Sequence, residues 1–228
     1  MRSLLLALLF CVSWTMTTAQ NGQNTLSSST DSDPKAKAVL EQMRNKYEGY
    51  KTIDVTFSLE IKLPEEAAET QTIHLKKKGD AYRVEMPGRT VISDGETLWM
   101  VMDRNQEVQI NDVPDAAEDQ SILSPEALFR LYETNDFAYF LVGETTENGK
   151  VVQKIEFKPL DEYADYSKMR LTLVKGSNDF IRVKAFGKDG SRFTITVKDM
   201  RPNTTMADGL FGFDKKDYPD YYIEDLRY

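Results

Sequence analysis

Alternating apolar and polar positions run through most of the chain after residue 53. The segment DVTFSLEIKL places apolar residues at every second position and polar residues between them, which is typical of a strand with one buried face. The same period recurs in TIHLKKKGDAYRVEM, VQKIEFKPL, KMRLTLVK, DFIRVKAF and SRFTITVKDM. Short turns that contain Gly separate these segments. Eight or more strands joined in this way predict one antiparallel sheet, strongly curled or closed.

Two stretches have the helical period instead. Asp33 is placed to cap a helix that begins at Pro34 and ends before Gly49. The segment SPEALFRLYE predicts a second helix from Ser124 to Glu133, again with Ser as the cap and Pro at the first helical position. A short helix inserted between two strands of a meander must lie on an open side of the sheet.

The segment VISDGETLWMVM predicts two strands joined by an Asp-Gly turn. Its second strand is apolar at nearly every position, whereas a half-buried strand alternates. Both faces of this strand therefore contact apolar surroundings. The pattern leaves open which alternate set lines the interior of the sheet: Leu98 and Met100, or Trp99 and Val101.

The amino terminus predicts export. Residues 1–19 combine a basic start, an apolar run too short to span a bilayer and small residues at the end, which is the layout of a secretory signal peptide. Cys11 lies inside the apolar run, but Phe10 precedes it where a lipoprotein signal needs a small residue. Residues 20–33 are rich in Ser, Asn and Thr and predict a disordered tether. Residues 34–228 are then expected to form a single domain in an extracytoplasmic space.

Composition and motifs give no sign of catalysis. The net charge of −8 argues against nucleic acid or an anionic membrane surface as the standing partner. His74 is the single His and lies on the polar face of a predicted strand, so a Ser-His-Asp triad has no evident base. No metal-ligand spacing and no phosphate-binding loop is present. The chain is therefore expected to be a binding protein without cofactor or metal. A hydrolase that uses scattered carboxylates stays as an alternative.

The run GDAYRVEMPGRTVISDGETLWMVMDRNQEVQI resembles the central signature of the outer-membrane lipoprotein carrier family, the LolA-like periplasmic chaperones. In that family an aromatic strand precedes an I-V-S-D-G-x-T-L-W element and a D-x-x-x-x-Q-V stretch. The matching positions here are Tyr82, Val91 to Gly95, Thr97 to Trp99 and Asp103 to Val108. The ending LFGFDKKDYPDYYIEDL is similar to the closing F-x-F-x-x-P segment of the family. The resemblance extends from Asp33 to Leu226.

This resemblance implies a mainly β (α+β) fold: an unclosed antiparallel barrel of about eleven strands, with helices as a lid over a concave apolar cavity. It implies a monomeric carrier that binds the acyl chains of lipoproteins in the periplasm. An inner-membrane ABC-type releasing complex would load it, and an outer-membrane acceptor would receive the cargo.

The resemblance and the alternating pattern together name candidate residues. The expected cavity-lining residues are Phe57, Leu59, Ile61, Tyr82, Val84, Met86, Trp99 and Met100. The expected lid residues are Leu40, Met43, Leu128, Phe129, Leu131 and Tyr132. Lys78 stands where the family has a basic residue, usually Arg, that ties lid to barrel. Lys keeps the charge but loses the bidentate fork of Arg.

Two further alternatives share the same fold. A periplasmic sensor of lipid or lipoprotein would need a further partner-binding domain, whereas the patterns in residues 34–228 predict a single domain. A purely structural barrel would have a densely packed interior with no accessible apolar surface.

Overall fold

The computed structural model describes residues 31–113, 132–133 and 135–227. Within them the chain forms one α-helix, two short 3₁₀ turns and twelve strands. Helix α1 is Pro34–Glu48, and the 3₁₀ turns are Asp208–Phe211 and Lys215–Asp217. The strands are β1 Thr52–Lys62, β2 Glu69–Lys78, β3 Ala81–Met86, β4 Arg89–Ser93, β5 Thr97–Met102, β6 Glu107–Asp112, β7 Phe137–Glu147, β8 Lys150–Pro159, β9 Tyr166–Val174, β10 Phe180–Gly187, β11 Arg192–Pro202 and β12 Tyr222–Asp225.

All twelve strands belong to one sheet in the order β12-β6-β5-β4-β3-β2-β1-β11-β10-β9-β8-β7. Neighbours are antiparallel, except that β12 runs parallel to β6. The two end strands, β12 and β7, are not paired with each other, so the sheet is unclosed. The predicted mainly β, unclosed architecture is confirmed. The expected count of about eleven strands is one too low, because the closing segment adds β12 at one edge.

Helix α1 begins where its sequence predicts. The Asp33 carboxylate accepts a hydrogen bond from the Lys35 backbone N–H at 2.8 Å, and Pro34 occupies the first turn. The Gly49 N–H closes the last turn on the Asn45 carbonyl at 3.1 Å. One side of α1 is buried against the sheet, and we call the sheet face that it contacts the inner face.

The inner face curls around α1. Buried side chains of β1, β2 and β3 belong to the same apolar cluster as those of β7, β8, β9 and the helix, although these strands lie far apart in the sheet order. On β1 the alternation is as expected, with Ile53 and Val55 on this face and Asp54 and Thr56 on the other. A sheet that brings both of its halves to one helix must be strongly bent.

The last residues of the predicted tether are hydrogen-bonded, not free. The Tyr139 backbone on edge strand β7 donates to Ser32 Oγ at 3.2 Å and accepts from the Asp33 N–H at 2.9 Å. These bonds protect part of an otherwise unpaired sheet edge. The predicted signal peptide and residues 20–30 of the tether lie outside the described residues.

The outer face carries a second, smaller apolar cluster under the carboxy-terminal segment. Ile92, Val101 and Val108 are buried on this face, outside the main core. Trp99 stacks on Phe213 with ring centroids 6.2 Å apart, and Phe213 stacks on Tyr218 at 5.3 Å. The closing segment is therefore held against β5 by aromatic rings, and its β12 continues the sheet.

We expect Phe213→Ala to loosen this closing segment. The substitution removes two stacked ring pairs and should lower the free energy of unfolding by about 2 kcal/mol. Urea unfolding measures this change. In limited proteolysis, the first cleavage should fall within the closing segment, on the carboxy-terminal side of residue 207. Tyr222→Ala is the matched control, since Tyr222 is 66% exposed and its loss should change stability little. Equal effects of both substitutions would contradict the stacking role of Phe213.

Within the described residues, no helix is both long enough and apolar enough to traverse a bilayer.

Candidate functional site

The inner face has a covered part and a part that α1 leaves half-exposed. Under and around the helix, side chains such as Val55, Ile155 and Leu173 are buried. Beyond the helix the face continues with apolar residues that are only partly buried against this core. We call them the half-exposed strip: Phe57, Leu59, Tyr82, Met86, Val91, Val183, Ala185, Val197 and Met200.

Four residues predicted to line a cavity belong to this strip: Phe57, Leu59, Tyr82 and Met86. Ile61 follows on the same face of β1 and is half-buried. Val84 is also on this face but only 3% exposed, so it belongs to the buried core beneath. The register places Met100 opposite Val91, which in turn lies opposite Val84. Directly paired residues share a face, so Met100 extends the strip.

Trp99 is on the other side of the sheet. It pairs with Ile92 and Ile110 and stacks on Phe213, all on the outer face. Trp99 therefore does not line the inner face, contrary to its place among the expected cavity residues. Strand β5 is apolar on both faces because Leu98 and Met100 face inward while Trp99 and Val101 lie beneath the carboxy-terminal segment.

A β-bulge explains why Met200 lies on the inner face although it departs from the alternation of β11. Thr56 pairs with Asp199, whereas the next residue, Phe57, pairs with Val197, so Lys198 is the extra residue of β11. The bulge shifts the inward and outward alternation of side chains along β11 by one residue, so both Val197 and Met200 lie on the inner face. Simple alternation would have assigned them to opposite faces. By contrast, Val183 and Ala185 follow the plain alternation of DFIRVKAF and could have been found from it.

The strip ends in polar residues at β6. Gln109 lies opposite Met100, and Asn111 lies opposite Leu98. Gln109 Nε2 donates to Glu107 Oε1 at 2.8 Å, and Asn111 Nδ2 is buried without a hydrogen-bond partner among the described residues. An apolar ligand would thus lie toward β1, β3 and β5, away from this polar edge.

The carboxy-terminal half of α1 is bound tightly to the sheet. Leu40 and Met43, predicted as lid residues, are 1% and 2% exposed in the main core. The Tyr47 hydroxyl accepts the Phe180 backbone N–H at 2.8 Å. Gln42 accepts from Asn178, and Asn178 accepts from Gln153, both at 2.9 Å. Contacts of this kind describe a fixed core element and do not support the expectation that α1 is a moving lid.

Sequence comparison identifies the family to which this geometry belongs. The family model of the outer membrane lipoprotein carrier protein LolA matches residues 77–214, more than half of the chain. The chain belongs to the LolA family. This family consists of carriers and not enzymes, and its fold is typical of proteins of the cell envelope. Comparison with curated proteins finds no matching relative.

Several solved structures are similar to this chain at low sequence identity. An uncharacterized conserved protein from Thermus thermophilus is 12% identical with a TM-score of 0.56, covering 85% of this chain and 99% of its own. A LolA superfamily protein from Nitrosomonas europaea is 14% identical with a TM-score of 0.42, covering 78% and 98%. The Mycobacterium tuberculosis lipoprotein LppX is 11% identical with a TM-score of 0.48, covering 77% and 99%.

The second lid helix expected from the LolA resemblance falls mainly outside the described residues, and Leu128, Phe129 and Leu131 are among those outside. Its last two residues are described. Tyr132 is buried edge-on against Tyr139 with centroids 6.2 Å apart. Arg44 of α1 lies over the Tyr132 ring at 5.9 Å and forms an ion pair with Glu133. The end of this segment therefore docks beside α1 and β7.

Lys78 lies on the opposite side of the sheet from α1. It lies on the outer face, because its neighbour Lys77 pairs with the inward residues Ile53 and Tyr82. Its ammonium forms an ion pair with Asp208 in the first 3₁₀ turn, at the rim of a shallow pocket of about 350 Å³. Hydrogen bonding and charge attraction from Lys78 lower the pKa of the Asp208 carboxyl. Here Lys78 ties the closing segment to the sheet, and its expected role as a lid latch stays a prediction.

Tyr47 makes the attachment of α1 sensitive to alkaline pH. Burial raises the pKa of its hydroxyl to about 12, and the bond from the Phe180 N–H only partly offsets this. An acid with a raised folded-state pKa stabilises the fold below its unfolded pKa of about 10, and that stabilisation is lost as pH rises. We expect the free energy of unfolding to fall by about 2 to 3 kcal/mol between pH 10 and 12.

Denaturant unfolding across this pH range measures the effect. In Tyr47→Phe the slope should flatten by this amount, although the variant is less stable at neutral pH because the Phe180 N–H loses its acceptor. Tyr163→Phe, at a residue 83% exposed, should keep the full slope. An unchanged slope in Tyr47→Phe would assign the pH dependence to another group.

Proposed function

We propose that the chain is a periplasmic carrier that binds the acyl chains of lipoproteins released from the inner membrane and delivers them to the outer membrane. The observation that carries the proposal is the half-exposed strip: a continuous apolar surface beside α1 in a member of the LolA family. Soluble proteins rarely leave a large contiguous apolar surface open without a ligand or partner for it.

A partly open strip suits a carrier that must release its cargo. Three acyl chains contain ~45 methylenes, worth on the order of 35 kcal/mol out of water at ~0.8 kcal/mol each. Non-covalent affinity saturates near 18–21 kcal/mol, roughly half of that sum. A carrier that recovered all of it could not release its cargo. A strip backed by a fixed helix contacts only one side of each acyl chain. It therefore recovers only a fraction of this free energy.

The test is a release assay with spheroplasts that make a tagged lipoprotein and a matched releasing complex. The exported protein should bring the lipoprotein into solution as a one-to-one complex. A variant with a charge in the strip, Leu59→Glu, should not do so. A variant with the same charge on the opposite face of β1, Ser58→Glu, should behave as the unmodified protein.

Co-purifying lipid without release of lipoprotein would instead favour lipid sensing. Absence of both lipid and lipoprotein in the presence of the releasing complex would overturn the proposal.

A further inference from the structure

The outer face of β9, β10 and β11 gathers four cations around one aromatic ring. Measured from the centroid of Phe186, Lys168 Nζ lies at 5.4 Å, Arg170 Cζ at 5.5 Å, and Lys184 Nζ and Arg192 Cζ at 5.6 Å. The register produces this arrangement, because Phe186 pairs with Lys168 on one side and with Arg192 on the other. We call these five residues the Phe186 cluster.

One carboxylate lies beside the cluster, and it does not neutralise the four cations. Glu156, with a side chain 9% exposed, accepts from Arg170 at 2.8 Å and lies 3.2 Å from Lys168. Burial acts to raise the pKa of Glu156, but the bonds from Arg170 and Lys168 outweigh it and lower the pKa, so the carboxylate stays charged. In the part of the chain that the structure describes, neither Lys184 nor Arg192 forms an ion pair.

The positive surface continues to both sides of the cluster. Lys62 on β1 lies opposite Arg192, and the exposed Lys158 on β8 lies over the ring of Phe140 at 5.9 Å. From β1 to β8 this band crosses four inter-strand steps, or ~19 Å. The six cations of this band outnumber its two carboxylates, Glu60 and Glu156, whereas the whole chain has a net charge of −8.

Clustered cations repel one another, and the face of one ring and one carboxylate compensate them only in part. A negatively charged partner would relieve the repulsion. The cluster lies on three interior strands of the sheet, away from its two edge strands, whereas a peptide that adds to a sheet pairs along an edge strand. A broad positive band on an open sheet face fits a partner that is itself extended and negatively charged.

We propose that the Phe186 cluster is an electrostatic docking surface for the phosphate headgroups of an anionic bilayer. Without such a surface, a chain with this net charge would be repelled by an anionic membrane. The surface lies opposite the half-exposed strip, so docking leaves the strip free. The inference goes beyond the carrier function and does not depend on which cargo the strip binds.

The test is sedimentation of the protein, expressed from the full chain and purified, with vesicles of two compositions. Vesicles of phosphatidylcholine with a minority of phosphatidylglycerol should bind the protein in low salt, and vesicles of pure phosphatidylcholine should not. The double variant Lys184→Gln/Arg192→Gln should lower the partition coefficient about 30-fold, since each cation near such a surface contributes about fivefold. Added salt should weaken binding of the unmodified protein.

Matched variants distinguish this surface from cations elsewhere on the molecule and from the strip. Lys215→Gln/Lys216→Gln makes the same charge change at two exposed residues of the second 3₁₀ turn and should change binding by less than about twofold. Leu59→Glu, which addresses the strip, should bind the vesicles as well as the unmodified protein does. A result in which Leu59→Glu abolishes sedimentation while the double variant does not would assign binding to the strip and overturn the proposal.

Three other results would also overturn it: no preference for the anionic vesicles, equal losses in the two double variants, or binding to poly-glutamate in place of vesicles. The last result would identify an acidic protein as the partner. Circular dichroism of each variant checks that the sheet is intact.

Discussion

Leu59→Glu should lower the affinity for a fluorescent fatty-acid probe by about 30-fold or more, or ~2 kcal/mol, because an acyl chain lying against Leu59 would strip water from the new carboxylate. Leu59 lies at the middle of the half-exposed strip, with Gln71 and Ile195 as cross-strand partners, neither of which can neutralise a carboxylate. Met86 is a weaker choice, since Arg89 lies opposite and could pair with a glutamate there.

Ser58→Glu is the control for this prediction. It adds the same charge one residue earlier, on the outer face between Thr72 and Thr196, and should leave probe binding within about twofold. Fluorescence titration measures both variants, with circular dichroism to confirm folding. Intact binding in Leu59→Glu would show that acyl chains do not use this strip. Equal losses in both variants would point to a general effect of charge on the fold.

Leu40→Ala should lower the free energy of unfolding by about 3 kcal/mol, within the 2–5 kcal/mol typical of a buried Leu. Leu40 is 1% exposed between α1 and the sheet, and its removal leaves a cavity that neighbouring side chains fill poorly. The transition should stay a single one, because the bonds from Tyr47 and Gln42 join the helix to the sheet. Urea unfolding followed by tryptophan fluorescence measures both quantities.

Lys37→Ala, an exposed change on the same helix whose ion pair with Glu41 is long at 3.9 Å, should alter stability by no more than about 0.5 kcal/mol. Another combination of results for Leu40→Ala would instead support the moving-lid hypothesis. If Leu40→Ala lowered stability by less than about 1 kcal/mol and bound the fatty-acid probe more tightly, α1 would be a displaceable cover that competes with cargo.

Local patterns in the sequence were sufficient for most of the architecture. Alternation on β1 identified Phe57 and Leu59 as residues of one face, and the cap at Asp33 set the start of α1. The sequence also predicted the Asp-Gly turn between β4 and β5. In the structure Gly95 has φ of +101°, and the Asp94 carboxylate accepts the Glu96 and Thr97 N–H groups at 2.9 and 2.8 Å. Each of these features depends on residues within a few positions of one another, and the S-D-G-x-T-L-W element likewise identified the family.

Other features depend on contacts between segments that are distant in sequence. Both faces of β5 are apolar, so its sequence could not assign Trp99, and the deciding partner, Phe213, follows more than a hundred residues later. The partner of Lys78, Asp208, is 130 positions away, and the Tyr47 bond that holds α1 joins residues 133 apart. The alternation of β11 breaks at Lys198 and Asp199, which are two polar residues in succession, but only the pairing with β1 shows that Lys198 is the extra residue of a bulge.

The physical reason for this division is the range of the interactions. Side-chain direction along a strand and the capping of a helix follow from backbone geometry over a few residues, so composition in a short window predicts them. Which face is covered, and by what, depends on how far the sheet curls and on which segments it brings together. The sequence by itself therefore determined an unclosed β-sheet of the LolA family with an apolar inner face. The tertiary structure alone decided that α1 is built into the core, that Trp99 faces outward and that four cations converge on Phe186.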